Sequence, residues 1–238
     1  MEDGKNNMQN LKVLYETNHI IVIEKPVNVP SQGDKTGDVD CLKLIKDYLK
    51  EKYQKPGNVY VGLIHRLDRP VGGVMVFAKT SKAAARLSQS VRNREVIKEY
   101  LLVANGKFDE SKGIMVDYLK KDERTNLSKT VKEGTKDSKY AKLEYEVLYY
   151  REDNDLSLVR VKLHTGRHHQ IRVQFASREH SLYGDQKYGT RGKGKQIALF
   201  AYRLSFPDPV TKEMLTFMSL PEANGTWSMI KNVNIQIL

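Results

Sequence analysis

The sequence predicts an α+β protein built on a mainly antiparallel, mixed β-sheet with flanking helices. Three observations lead there. Strand-like segments come in adjacent runs instead of alternating regularly with helices, which favours α+β over a doubly wound sheet. Ala141, Leu143, Tyr145, Val147 and Tyr149 alternate at period two, and residues 156–163 continue as a second strand across Asp153-Asn154-Asp155, the pattern of a hairpin. A length of 238 residues with 39% hydrophobic content is enough for one sizeable core. A single domain over residues 11–238 is therefore expected, behind a flexible N-terminus of residues 1–10.

In chain order, residues 11–25 read as two short strands around Thr17-Asn18, stopped by Pro26 and Pro30. Leu42, Ile45, Leu49 and Tyr53 then recur at helical spacing, with Asp38 or Asp40 as cap and Pro56-Gly57 as stop. Apolar runs at 59–64 and 74–78 resemble strands on either side of a charged loop. Thr80 or Ser81 can cap a second helix through residues 83–91, where alanines give high helix propensity. Residues 97–104 return as a strand ending at Asn105-Gly106. The tract 107–142 is dense in both charge signs and is expected to form solvated loops with a short hairpin. After the 140–163 hairpin, residues 164–167 turn, Ile171 and Phe175 suggest a short helix ending before His180, and 196–205 and 214–220 look like strands joined through Pro207-Asp208-Pro209.

Charge narrows the function. A formal net charge of +11 points to a polyanionic partner, nucleic acid before an anionic membrane, because no strongly amphipathic basic helix or lipidation signal accompanies it. No apolar run approaches the roughly 20 residues that span a bilayer. The N-terminus lacks the apolar core of a signal peptide, so a cytoplasmic protein is expected. A single cysteine, Cys41, excludes an internal disulfide framework and any multi-cysteine zinc site.

Two stretches carry chemistry. In His65-Arg66-Leu67-Asp68-Arg69 a lone carboxylate sits between two arginines, at the mouth of two strand-like segments. Such surroundings favour its ionised form, which suits a nucleophile, a weak base or an electrostatic stabiliser better than a general acid. Taken alone, the same pattern also fits an Asp that ends a strand and pairs with a neighbouring Arg. The second stretch, Thr165-Gly166-Arg167-His168-His169-Gln170-Ile171-Arg172-Val173, packs cations into a turn and helix start, both of which bind anions. His164, His168 and His169 raise the question of a metal, but Thr165-Gly166 disfavours the helix that would align the first two, and no nearby acid completes a metallohydrolase motif.

The HRLD run at 65–68 followed by Gly73-Val-Met-Val-Phe-Ala-Lys-Thr80 resembles the signature of the RluA branch of RNA pseudouridine synthases. Further matches follow in family order: Lys98-Glu-Tyr100, TGR with HQIR at 165–172, Gly184-Asp-Gln-Lys-Tyr-Gly189 and the late segment 199–206, with a strand ending in Lys25-Pro26 ahead of them. Departures are Pro70-Val71-Gly72, where an acidic residue and Thr-Ser are common, and Phe200 in place of a frequent His. About ten residues precede the first expected strand, so the family's common N-terminal S4-type domain is expected to be missing.

The resemblance implies the pseudouridine synthase catalytic fold and the isomerisation of uridine in structured RNA, ribosomal or transfer, without cofactor or metal. It makes Asp68 the catalytic carboxylate, Tyr100 the surface on which the target base stacks, and Arg172 the cation paired with Asp68. His65, Arg66, Arg69, Arg167, His169 and Gln170 are the expected RNA-binding residues, with Arg167 also able to brace its turn. Lys120, Lys121, Arg124, Lys129, Lys132, Arg191, Lys193 and Lys195 are candidates for a salt-sensitive phosphate footprint. A monomer is expected. Two alternatives of other classes are a noncatalytic RNA-binding or ribosome-assembly protein on the same fold, and a metal-dependent phosphodiesterase built on the histidines.

Overall fold

Thr17 turns the chain at its first bend, its hydroxyl accepting from the amides of His19 (3.1 Å) and Ile20 (3.2 Å). Strands β1 (Lys12–Glu16) and β2 (Ile20–Lys25) thereby run antiparallel. The computed structural model describes residues 11–189, 194 and 196–233. The chain divides into two compact units, Met1–Ile97 with Ala201–Leu220 and Lys98–Phe200 with Pro221–Leu238.

In the first unit β2 pairs antiparallel with β4 (Gly72–Ala78), and the short β3 (Gly62–Leu63) pairs with the end of β4. Of the expected strand at 59–64, only β3 is regular. Helix α1 (Cys41–Tyr53) starts where Asp40 accepts from the Lys43 amide at 2.9 Å, and ends at Gln54 in the left-handed conformation, ahead of Pro56-Gly57. Helix α2 (Ser81–Arg92) is capped by Thr80, which accepts from the Ala83 amide at 3.2 Å. Its Ala83 and Leu87 pack with Ile20, Val22, Val74, Val76, Leu204 and Phe206. β4 is buried along its whole length, so it reads as a continuous apolar run and does not alternate.

The second unit begins with β5 (Ile97–Asn105), whose first residue belongs to the other unit. β6 (Lys112–Asp122), β7 (Leu127–Val131), β8 (Lys139–Arg151) and β9 (Leu156–Leu163) complete an antiparallel order β5-β9-β8-β6-β7. Helix α3 (Gln170–Ala176) adds Val173 to Leu119 and Ala141 in a small core. The chain returns through β10 (Leu199–Pro207), which forms a hairpin with β11 (Met214–Met218).

The sheet and the α+β class follow the sequence expectation; the 107–142 tract follows it in its hairpin, β6 with β7, but not in the extent of its strands. β6 is an 11-residue strand paired on both edges, not a solvated loop. Its inward positions Met115 and Leu119 are separated by an inward Asp117, which accepts from Gln174 (2.7 Å) and Arg178 (2.9 Å). A charged residue facing inward, with Ile114 and Val116 exposed on the other side, hides the alternation.

Candidate active site

Asp68 lies in the loop that feeds β4, where its carbonyl accepts from the Val71 amide at 2.9 Å to close a turn. Both of its neighbours are pinned from the end of β2 and the segment that follows it. The Ser31 hydroxyl accepts from the Leu67 amide (3.1 Å) and donates to the Leu67 carbonyl (2.9 Å). Lys25, only 1% exposed, donates to the carbonyls of Arg69 (3.0 Å), Pro26 (2.8 Å) and Val29 (2.5 Å). Burial pushes the Lys25 ammonium down to about 8, with Cys41 and Asp68 pulling it back up. Three carbonyl oxygens offset the desolvation of a buried cation.

Arg69 is tied to the same segment by its side chain. Its guanidinium donates to the Asn28 carbonyl (3.1 Å), to Thr36 (3.2 Å) and to the Asp38 carboxylate, with Asp34 at 3.9 Å. Thr36 in turn donates from its hydroxyl to Asp34 at 2.6 Å, which holds the Asp34 carboxyl below its usual range. His65 accepts from the Val76 amide at 3.3 Å through Nε2, and Arg66 is exposed. Gly73 adopts φ +125°, and a Cβ there would stand 2.2 Å from the Ala201 carbonyl oxygen, so only glycine fits where the loop becomes β4.

In the second unit Tyr100 is buried on β5 opposite Val161, with Lys98 two residues ahead of it. The turn after β9 is built around Gln170. Its carbonyl oxygen accepts from the Thr165 hydroxyl (2.8 Å) and the Arg167 amide (3.1 Å), and its amide donates to the Lys142 carbonyl (3.1 Å) and to Gln174 (2.9 Å). Arg167 donates from Nε to the Tyr140 carbonyl at 2.8 Å.

His169 precedes α3 in the left-handed conformation, φ 52°, and its Nδ1 is 2.8 Å from the Tyr188 hydroxyl, which also accepts from the Ser128 amide at 2.7 Å. Burial, then the positive charge of Arg172, pushes the His169 imidazole down to about 2, so it is neutral. His168 stacks on it at 3.8 Å and meets the Ser128 hydroxyl at 2.8 Å through Nδ1. His164 faces Glu144 instead (2.8 Å). The three histidines therefore point to different partners.

Arg172 donates to both Asp185 oxygens, Nε at 2.8 Å and Nη2 at 2.6 Å, and its guanidinium lies 5.2 Å from the Tyr188 ring centroid. Asp185 also accepts from the amides of Lys187 (2.9 Å) and Tyr188 (3.2 Å). Gly184 takes φ +74°, and a Cβ there would meet the Gln196 carbonyl oxygen at 2.1 Å.

The loop of the first unit thus groups His65, Arg66, Asp68 and Arg69, and the second unit groups Arg167, His169, Gln170 and Arg172 around one turn, with Tyr100 on β5. Lys25, Ser31, Asp185 and Tyr188 carry this framework and were not assigned roles from the sequence, although Lys25-Pro26 and the 184–189 motif mark three of the four. Lys120, Lys121, Arg124, Lys129 and Lys132 lie along the β6–β7 hairpin, while Arg191, Lys193 and Lys195 fall outside the described residues. Among the described residues no helix is long and apolar enough to cross a membrane.

The sequence pattern of the family described as RNA pseudouridylate synthase matches residues 19–177. The chain is 33% identical over 207 residues to the uncharacterized RNA pseudouridine synthase YhcT of Bacillus subtilis (strain 168), covering 86% of this chain and 67% of that protein. It is 34% identical over 224 residues to the ribosomal large subunit pseudouridine synthase D of Vibrio cholerae, covering 87% and 66%. In structure it is similar to human RNA pseudouridylate synthase domain containing 4, with a TM-score of 0.76 at 21% identity over 92% of this chain and 94% of that one. Human RNA pseudouridylate synthase domain containing 1 gives 0.74 at 23% identity over 92% and 87%, so both likenesses speak for the fold. With its motifs in order, its fold shared and two thirds of its length matched by the family pattern, the chain belongs to the RNA pseudouridylate synthase family, the enzymes that isomerise uridine in RNA.

Proposed function

We propose that this chain converts uridine of ribosomal RNA to pseudouridine, with Asp68 as the catalytic carboxylate, Tyr100 as the stacking surface and Arg172 as the cation that matches Asp68. The observation that carries the assignment of Asp68 is that Leu67 and Arg69, its two neighbours, are each fixed from the Lys25–Ser31 segment. A carboxylate held this way is preorganised, and preorganisation lowers a barrier without reorganisation during the reaction. The choice of ribosomal RNA is supported by relatives named ribosomal large subunit pseudouridine synthase D.

The reaction breaks the N1–C1′ bond, turns the uracil over and joins C5 to C1′, while C5 loses a proton and N1 gains one. Atoms and charge balance within the nucleotide, so the isomerisation needs no redox partner, and no metal is assigned to it. The target uridine must leave its stack, which costs a few kcal/mol. Tyr100 receives the base, and Asp68 stands beside the sugar and base where charge develops. Arg172, itself held by Asp185, supplies the cation that matches Asp68. The exposed Arg66, with His65 and Arg167, contacts the RNA around the displaced nucleotide, while Arg69, His169 and Gln170 hold the frame through their bonds within the protein. The enzyme acts as a monomer in the cytoplasm.

The test is pseudouridine mapping of ribosomal and transfer RNA from cells lacking the protein, complemented with the wild type or with Asp68→Asn. Loss of one or a few ribosomal pseudouridines, restored by the wild type alone, is the expected result. No change at any ribosomal site would contradict the substrate assignment.

A further inference from the structure

Lys98 is a cation without a use in this scheme. It sits two residues before Tyr100 on β5, so the strand's alternation turns both side chains to one face, about 7 Å apart along the strand at roughly 3.3 Å per residue. It is half-buried, its partner in register is the apolar Leu163, and its ammonium lies near Gly166. A Cβ at Gly166 would stand 4.0 Å from Nζ, in ordinary van der Waals contact with the charge. Among the described residues no carboxylate or hydrogen-bond acceptor meets that ammonium, and burial alone depresses its pKa.

Other inward lysines contrast with this. Lys25 has three carbonyl oxygens, and Lys79 has Glu16 at 2.5 Å and the Thr17 carbonyl at 2.7 Å. A half-buried ammonium without an acceptor is destabilising, and an arriving anion relieves it. Resting on Tyr100 as the stacking surface, we propose that Lys98 binds a backbone phosphate adjoining the nucleotide that stacks there. Its offset along the strand puts the charge to the side of a base on Tyr100, where the sugar-phosphate runs. A lysine serves a phosphate as a point charge and needs no bidentate geometry.

The test compares wild type, Lys98→Met and Lys98→Arg in the full chain, on an in vitro transcript of large-subunit ribosomal RNA at several salt concentrations. A phosphate contact made equally in ground and transition states raises KM, here by about tenfold, with kcat within about twofold. The slope of log affinity against log salt becomes shallower by about 0.7–0.9 in Lys98→Met, the contribution of one phosphate. Lys98→Arg retains the full slope. Lys98→Met also unfolds no earlier than the wild type, because it removes a half-buried cation, so weakened binding is not lost folding. An unchanged slope in Lys98→Met overturns the proposal, and a fall in kcat with that unchanged slope assigns Lys98 to the base instead. If the wild type binds the transcript but forms no pseudouridine, the catalytic reading fails separately, and the slope difference still decides the role of Lys98.

Discussion

Arg172 and Asp185 form a bidentate ion pair in which both side chains are nearly fully buried, at 2.8 and 2.6 Å. Asp185 is fixed by two backbone amides of its own loop, and Tyr188 lies against the guanidinium, so the pair sets the orientation of the arginine from below. Such a pair is a weak source of net stability when intact, but removing one partner strands the other charge.

Asp185→Ala is therefore expected to destabilise the protein by about 3–5 kcal/mol. Urea unfolding should show this as a lower midpoint at unchanged slope. Activity should fall with it, while Asp117→Asn, on β6 where it accepts from Gln174 of α3, should not reproduce that loss of activity. A midpoint within error of the wild type for Asp185→Ala would mean that the pair does not hold the arginine.

Lys25 and Ser31 act on Asp68 through its neighbours. Lys25→Met removes the donor to three carbonyls, and Ser31→Ala unpins Leu67. Misplacement of a reacting group by about 1 Å can cost about a hundredfold in rate. Both variants should lower kcat by about ten- to a hundredfold, with RNA affinity and its salt slope as in the wild type. Steady-state kinetics beside a binding titration separates this from loss of an RNA contact, which would appear in the affinity.

Much of this framework could be read from the sequence, and the exceptions have physical causes. The hairpin of β8 and β9 was readable because Ala141, Leu143, Tyr145 and Val147 keep period two; a register shift between Val147 and Tyr149 then takes Tyr149 out of that alternation. β6 was not, because Asp117 faces inward and pairs with Gln174 and Arg178, contacts that no local pattern encodes. In the site, Asp68, Arg172 and Tyr100 stood out through family motifs. Lys25 and Asp185 lay within such motifs, but what they hold depends on positions 44 and 13 residues away, Arg69 and Arg172. The bonds of Arg69 to Asn28, Thr36 and Asp38 were not legible in the sequence, because they arise only from the folding of the preceding loop.

His169 gives a pH prediction. Its folded-state pKa is lowered to about 2, below the ordinary histidine value of 6.5. The unfolded chain takes up a proton as pH falls through 6.5 while the folded protein does not, so this contribution to stability is full above 6.5 and is lost progressively below it. His169→Asn, which can still meet the Tyr188 hydroxyl, should flatten the stability profile between pH 6 and 4, by at most about 1.4 kcal/mol per pH unit. Parallel profiles for variant and wild type would show that His169 titrates in the folded protein.

The central claim is that Asp68 makes pseudouridine. The most direct measurement is pseudouridine formation by purified wild type and Asp68→Asn on a large-subunit ribosomal RNA transcript, with thermal unfolding and RNA binding measured on the same samples. The account predicts product from the wild type and none from a folded, RNA-binding Asp68→Asn. Product from Asp68→Asn at the wild-type rate would contradict it.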